Sequence, residues 1–259
     1  RFRIVVDWHE VWSREYWREY LGRVGGAIGY GVQLLCARVP QRAFCFSHLH
    51  AGRLREEGLR GEPTVLEGEY AGSLEPPEPA PAEPVVVFAG RLIPEKRAPA
   101  VVPAVVAAAR RIPGLRGEVY GDGPERAAVD AAVAASDGIV QAPGFVDAER
   151  VDAALRRALC MVLPSRREGY GMVVVEAAAR GTPSVVVREP DNAAIELVED
   201  GVNGVVAASA SPEDLADAVV RIHEAGEGMR ASTREWFARN ARRLSLEGSL
   251  ETVLAGYAP

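Results

Sequence analysis

Residues 85–97 have the sequence VVVFAGRLIPEKR, and the fold class follows from this stretch. Its first five residues form a continuous apolar run, which is typical of a strand that is buried on both faces of a sheet. Gly90 follows the run, and the loop after it carries the cations Arg91, Lys96 and Arg97. A doubly buried strand belongs to a parallel sheet whose two faces are covered by helices, so the stretch predicts an α/β fold.

Strands and helices continue to alternate on the carboxyl side of this stretch. The predicted strands are 117–120, 139–141, 160–163, 184–187 and 204–207, and the predicted helices are 103–111, 124–135, 148–158, 172–180, 192–198 and 212–225. This alternation predicts βαβ units and a Rossmann-like domain over residues 85–228, followed by a helical tail over 229–259. Such a sheet binds ligands at the carboxyl ends of its strands.

The amino side of the stretch contains a predicted linker. Five of the ten residues 75–84 are proline, which fixes φ and has no N–H, so we expect an extended segment there. Residues 1–74 hold too few elements to close a complete α/β domain. Because the sequence starts at Arg1 and not at methionine, we expect part of that domain to be missing. The predicted elements before the linker are strands at 3–7, 43–47 and 65–66 and helices at 12–21 and 51–57.

Composition excludes several classes of protein. The formal net charge is −6 and no basic block occurs, which argues against nucleic-acid binding. The three cysteines, Cys36, Cys45 and Cys160, have no CxxC spacing, so we expect neither a disulfide framework nor a zinc site. We therefore expect a cytoplasmic protein. The longest apolar run, 101–109, is far shorter than the ~20 residues of a membrane-spanning helix. Peripheral contact with a membrane stays open.

The segment 164–179, PSRREGYGMVVVEAAA, combines a strand end, a glycine-rich loop and a helix start. Glu168 is predicted in the loop and Glu176 in the helix, where apolar residues flank it. A buried carboxylate needs hydrogen-bond donors, and the hydroxyl groups of a sugar or a ribose would supply them. Two alternatives remain: Glu176 pairs with Arg180 at position i+4, or Glu168 is an exposed loop acid.

Two further loops follow predicted strands. A pyrophosphate is a suitable ligand for Arg91, Lys96 and Arg97. Arginine forms bidentate hydrogen bonds to phosphate oxygens, and lysine provides a point charge. The alternative is a solvated basic loop. The turn 121–124, GDGP, gains a functional interpretation only if it lies beside that loop. Otherwise it is a plain turn between strand and helix.

In the order in which they occur along the chain, the three segments resemble the donor-binding half of a retaining glycosyltransferase of family 4 with the GT-B fold. That family has a GR-x4-K loop, a GDGP turn and an E-x7-E loop and helix, and the match spans about 85–225. Arg97 departs from it, because the family usually has glycine after the lysine. Residues 5–12, VVDWHEVW, resemble the strand end of the acceptor domain that carries a cleft-facing histidine, here His9.

The resemblance implies two Rossmann-like domains that face a cleft. The first, 1–74, is the incomplete acceptor domain, and the tail 229–259 crosses back to it. The implied activity is retaining transfer of a sugar from a nucleotide-sugar donor to an acceptor hydroxyl. His9 and Glu168 would act at the transferring sugar, and Glu176 would hold the ribose. The implied donor-binding set is Gly90, Arg91, Lys96, Gly121, Glu168, Gly169, Tyr170, Gly171, Met172 and Glu176.

We expect no cofactor and no metal. Arg91, Lys96 and the amino end of the helix after Gly171 would stabilise the leaving diphosphate, and no Asp-x-Asp motif occurs. His48 and His50 would point the same way on an extended segment, but a third ligand is lacking nearby. The alternatives are a nucleotide-sugar epimerase on the same fold and a donor-binding module without turnover. The sugar, the base and the acceptor stay open.

Overall fold

The computed structural model describes residues 4–75, 78 and 80–257, and the chain divides into two compact units. The first unit comprises the chain up to Glu69 together with the residues from Arg243 onward, and the second comprises Tyr70–Arg242. Parts of some predicted segments lie outside the described residues. These are Arg3 of the first strand, Pro76, Pro77 and Pro79 of the linker, and Ala258 and Pro259 of the tail.

In the described part of the first unit, three strands form a parallel sheet in the order β1-β2-β3. They are β1 (Val5–Trp8), β2 (Arg42–Cys45) and β3 (Thr64–Val65), and the helices between them are α1 (Arg14–Arg38) and α2 (His48–Glu56). α1 is broken at Gly22, where φ is 73°. The predicted helix 12–21 therefore covers only its first part. The rest contains four more glycines, which disfavour a helix, and was not predicted.

In the described part of the second unit, six strands form one parallel sheet in the order β11-β9-β7-β4-β5-β6. They are β4 (Val85–Ala89), β5 (Arg116–Tyr120), β6 (Val140–Gly144), β7 (Cys160–Leu163), β9 (Ser184–Val187) and β11 (Gly204–Ala207). β8 (Arg167–Glu168) and β10 (Asp191–Asn192) pair with each other outside this sheet. β4, β7 and β9 are buried along their whole length. The predicted α/β class with parallel sheets is confirmed.

Helices cover this sheet. They are α3 (Val101–Ala109), α4 (Arg126–Ala134), α5 (Ala148–Arg157), α6 (Met172–Ala178) and α7 (Pro212–Leu244). Pro103 lies in the first turn of α3, where its missing N–H would have no helical partner anyway. α7 is broken at Gly226, directly after the predicted end of the helix at Ala225. The predicted helix 192–198 is a 3-10 helix over Ala193–Leu197.

The last helix, α8 (Leu246–Tyr257), belongs to the first unit. There the Ser249 hydroxyl donates to the Gly68 carbonyl at 2.6 Å. Among the described residues, no helix has both the length and the apolar character that crossing a bilayer requires.

The strand order determines where a ligand can bind in the second unit. From β4 the chain runs outward through β5 and β6 on one side, and from β7 it runs through β9 and β11 on the other. The order therefore reverses between β4 and β7. Open parallel sheets bind ligands at such a reversal, in the crevice beyond the carboxyl ends of the strands.

Candidate functional site

Three loops start at the carboxyl ends of neighbouring strands. The first loop (90–97) follows β4, the second loop (121–124) follows β5, and the third loop (164–171) follows β7. Because β7, β4 and β5 are adjacent in the sheet, the three loops emerge side by side. They contain most of the residues that the sequence assigned to a donor site.

The second loop packs directly against the first. The Gly90 N–H donates to the Tyr120 carbonyl at 3.1 Å, and the Leu92 N–H donates to the Asp122 carbonyl at 2.9 Å. Gly121 has a φ of 131°, and a Cβ there would lie 1.8 Å from the Gly90 carbonyl oxygen. Only glycine fits this position, since a side chain would collide with the first loop. The expected contact between the two loops is present.

An ion pair joins the first and third loops. The Lys96 Nζ lies 2.5 Å from the Glu168 Oε2, and the Ser165 hydroxyl donates to the same oxygen at 3.1 Å. The Arg166 N–H donates to the Glu95 carbonyl at 2.8 Å. The Glu168 side chain is only 12% exposed, so the alternative of an exposed loop acid is wrong.

The pairing of Lys96 with Glu168 was not predicted from the sequence, which placed Glu168 in a loop. Glu168 instead lies in β8, where it pairs with Asn192 of β10. Both side chains keep unused capacity in the pair. An ammonium has three donors and a carboxylate has about four acceptor sites, so each can also bind a ligand.

The other two cations of the first loop differ in their surroundings. The Arg97 guanidinium pairs with Glu189 at 2.6 Å. Arg97 also adopts a left-handed conformation with φ 49°, which accounts for the glycine that the family usually has there. Arg91 is exposed, and within the described part of the chain its side chain forms no hydrogen bond or ion pair. Lys96 and Arg97 are therefore each held by a carboxylate, and Arg91 is the exposed cation of this loop.

Glu176 lies on α6 and is partly buried. It forms no hydrogen bond or ion pair with any residue that the structure describes. Arg180 instead bonds to the Asp152 carboxylate and donates to the Tyr70 hydroxyl at 2.8 Å. The alternative in which Glu176 pairs with Arg180 is therefore wrong. Burial raises the pKa of the Glu176 carboxyl, and the nearby Arg180 charge opposes that rise.

The third loop is tightly packed. Gly171 has a φ of 102°, and a Cβ there would lie 2.7 Å from the Ala194 Cβ. Tyr170 is buried, while Gly169 and Met172 on either side of this pair are partly exposed. The Asn192 side-chain amide donates to the Ser165 carbonyl at 3.1 Å and to the Val187 carbonyl at 2.9 Å. These contacts fix the loop that positions Glu168.

A cavity of about 620 Å³ opens beside the first and second loops. Its lining includes Gly90, Arg91, Gly121, Asp122, Phe145 and Val146. Phe145 is 84% exposed, which is unusual for a large aromatic residue. Phe145 was not predicted from the sequence, although Gly144-Phe145-Val146 at the end of β6 has a glycine at the strand end, as the first and second loops do.

His9 belongs to the first unit. Its ring is exposed and stacks on Phe46, with the ring centroids 4.9 Å apart, and its Nδ1 lies 3.6 Å from the Glu69 carboxylate. Burial raises the pKa of the Glu69 carboxyl, and His9 opposes the rise. The role of His9 at a transferring sugar stays a prediction.

His48 and His50 do not lie on an extended segment, because α2 begins at His48, so the condition under which they would point the same way is not met. The His50 Nδ1 accepts a hydrogen bond from the Val11 N–H at 3.3 Å. In the part of the chain that the structure describes, no group of three or more His, Cys, Asp or Glu residues is arranged to hold a metal ion.

Known proteins resemble the chain in sequence and in fold. A D-inositol 3-phosphate glycosyltransferase of Segniliparus rotundus is 32% identical over 184 residues, which cover 68% of this chain and 40% of the relative. A sucrose-phosphate synthase from Thermosynechococcus elongatus superposes with a TM-score of 0.82 at 19% identity, covering 99% of this chain and 67% of that one. HepE from Anabaena in complex with UDP and glucose superposes with a TM-score of 0.77 at 18% identity. This superposition covers 98% of this chain and 71% of HepE.

The chain spans less than half the length of the curated relatives that it matches first. The family model described as glycosyl transferases group 1 matches residues 83–225, which contain all three loops. That match covers more than half of the chain, and the chain therefore belongs to the glycosyl transferases group 1 family.

Proposed function

We propose that the second unit binds a nucleotide-sugar donor and that the protein transfers its sugar, a hexose, to an acceptor hydroxyl with retention of configuration, as family 4 enzymes do. The observation that carries the proposal is the meeting of the three loops where the strand order reverses, with Arg91 and the Lys96–Glu168 pair at that point. The acceptor is a hydroxyl compound of unknown identity.

The cations suit the leaving group. Breaking the bond between sugar and phosphate leaves negative charge on the nucleoside diphosphate, and fixed positive groups stabilise such charge. Arg91 is exposed beside the cavity, and the Lys96 ammonium has donors beyond the one used on Glu168. These two residues therefore receive the diphosphate in this proposal.

The carboxylates suit the hydroxyl groups of the donor. Glu176 has acceptor capacity that no described residue uses, and it would take the ribose hydroxyls. Glu168 is held by Lys96 and Ser165, and it would fix the hydroxyls of the transferring sugar. The solved Anabaena HepE complex contains UDP and glucose, which makes UDP the first nucleotide to test.

The test of the function uses UDP-, GDP- and ADP-sugars with a panel of acceptors. Release of nucleoside diphosphate only in the presence of an acceptor supports a transferase. An epimerised donor without an acceptor indicates the epimerase, and binding without turnover indicates a donor-binding module. Retention is read from the anomeric configuration of the product, and an inverted product contradicts it.

Arg91→Ala is expected to weaken UDP binding by about 1.5–3 kcal/mol, because a charged hydrogen bond to the diphosphate is lost. The measurement is calorimetric titration of the purified chain. Arg110→Ala is the control, since Arg110 is exposed near the end of α3 and away from the three loops. Equal affinity of wild type and Arg91→Ala would remove Arg91 from the site. Lys96→Ala should weaken binding as well, but it also breaks the pair with Glu168.

Phe145→Ala is expected to weaken UDP binding by about 1–3 kcal/mol, the range for stacking of a base on an aromatic ring. The exposed ring at the cavity beside the first and second loops is the reason for this expectation. Phe145→Tyr keeps the aromatic face and should bind like wild type. If Phe145→Ala and Phe145→Tyr bind UDP equally well, the base of the nucleotide does not stack on residue 145.

Turnover is expected to continue in excess chelator, because Arg91 and Lys96 supply the charge at the leaving group. The measurement compares donor turnover before and after metal removal. Activity that disappears on chelation and returns with magnesium or manganese would contradict this prediction.

A cytoplasmic location likewise stays a prediction; Cys36, Cys45 and Cys160 are free thiols in the structure.

A further inference from the structure

The contacts of Arg180 differ from what its position predicts. Arg180 follows Glu176 by four residues, and residues at this spacing are neighbours on a helix. It lies just beyond Ala179, the C-cap of α6, which keeps helical angles of φ −62° and ψ −13°. An arginine so close to a partly buried carboxylate is its default partner. No ion pair joins them among the described residues.

Two other groups hold Arg180 instead. Its Nε bonds to the Asp152 carboxylate on α5, and its Nη1 donates to the Tyr70 hydroxyl at 2.8 Å. Tyr70 is only 4% exposed, and its ring meets Phe237 edge-on at 5.6 Å between centroids. The hydroxyl is therefore fixed in place. Asp152 holds the Arg180 guanidinium by its opposite charge, and the fixed Tyr70 hydroxyl orients it.

This arrangement leaves Glu176 in an uncommon state. Burial raises the pKa of the Glu176 carboxyl, the neighbouring Arg180 charge lowers it, and the Asp152 charge raises it. The carboxylate oxygens accept no bond from a described residue. A direct pair with Arg180 would occupy these oxygens. Hydroxyl donors from a ligand would then compete with a guanidinium for the same acceptors.

We propose that Asp152 is a positioning residue of the donor site: it holds Arg180 away from Glu176 and so leaves the Glu176 carboxylate for the ribose hydroxyls. The inference rests on the proposed function, in which Glu176 contacts the ribose. It adds Asp152 and Tyr70, which lie outside the three loops.

Calorimetric titration of the chain with UDP tests the inference. Asp152→Ala releases Arg180 and should weaken UDP binding about tenfold, the effect of losing a charged hydrogen bond. The double variant Asp152→Ala/Arg180→Gln removes the competing cation and should restore the affinity. Asp152→Ala/Arg156→Gln is the matched control, because Arg156 is the other arginine on Asp152, at 3.2 Å, and its removal should restore nothing. Asp152→Glu, which can still hold Arg180, should bind like wild type.

A crystal structure of the Asp152→Ala chain supplies a readout that does not depend on UDP. Arg180 in contact with Glu176 supports the inference, and Arg180 still on Tyr70 and away from Glu176 overturns it. The inference is also overturned if both double variants bind UDP as weakly as Asp152→Ala does. The loss of UDP affinity would then come from structural damage and not from the released Arg180. If Glu176→Gln binds UDP like wild type, the ribose contact of the proposed function fails, and the crystal structure alone decides whether Asp152 restrains Arg180.

Discussion

Replacing Glu168 by glutamine is expected to lower kcat roughly 100-fold and to change the KM for the donor little. The Glu168 Oε2 is fixed by the Lys96 ammonium at 2.5 Å and by the Ser165 hydroxyl at 3.1 Å, so the carboxylate is a rigid reference for a bound sugar. Glutamine keeps the shape but not the charge, so the hydroxyls of the sugar lose a fixed charged acceptor and the sugar shifts. A misplacement of about 1 Å at the reacting centre can cost ~10²-fold in rate.

Glu176→Gln provides the contrast for this prediction. Its proposed ribose contact is the same in the ground state and the transition state, so losing it should mainly raise the KM for the donor. Donor kinetics of both variants with a saturating acceptor separate the two effects. Glu213→Gln, an exposed carboxylate in the first turn of α7, is the control and should behave like wild type.

Two results would contradict this division of roles. The same kinetic change in both variants would mean that Glu168 and Glu176 contact the same part of the donor. Wild-type kinetics in Glu168→Gln would mean that Glu168 only anchors Lys96 and takes no part in positioning the sugar.

The strands of the second unit could be predicted closely because their signal is local. Predicted strands at 160–163, 184–187 and 204–207 coincide with β7, β9 and β11, where short apolar runs end in proline, glycine or polar residues. Runs buried on both faces need no partner to be recognised in a sequence. The break in α7 at Gly226 also has a local signal, because glycine is unfavourable in the interior of a helix.

The contacts that build the candidate site could not be predicted, because they depend on how distant segments meet. Lys96 and Glu168 lie 72 residues apart, and Arg180 and Asp152 lie 28 residues apart. Helical spacing favoured the local pair of Glu176 with Arg180, and the fold of α5 against α6 overrode it. β8 contains only Arg167 and Glu168, and two polar residues carry no strand pattern.

Gly121→Ala is expected to destabilise the second unit by about 3 kcal/mol or more. A backbone φ of 131° costs a non-glycine residue ~1–3 kcal/mol, and overpacking adds a further ~1–3 kcal/mol. The added Cβ would lie 1.8 Å from the Gly90 carbonyl oxygen, so the first loop must move away. Because that loop carries Arg91 and Lys96, UDP affinity should fall together with stability. Urea unfolding followed by circular dichroism and calorimetric titration with UDP measure the two effects.

Gly114→Ala separates backbone strain from the collision between the loops. Gly114 also has a positive φ, 73°, but a Cβ there meets nothing within 4 Å. That variant should lose only about 1–2 kcal/mol, the cost of a left-handed conformation, and should bind UDP like wild type. If Gly121→Ala were no less stable than Gly114→Ala and kept its UDP affinity, the first loop would not depend on the second for its position. Gly121 would then be needed only for the conformation of the turn 121–124.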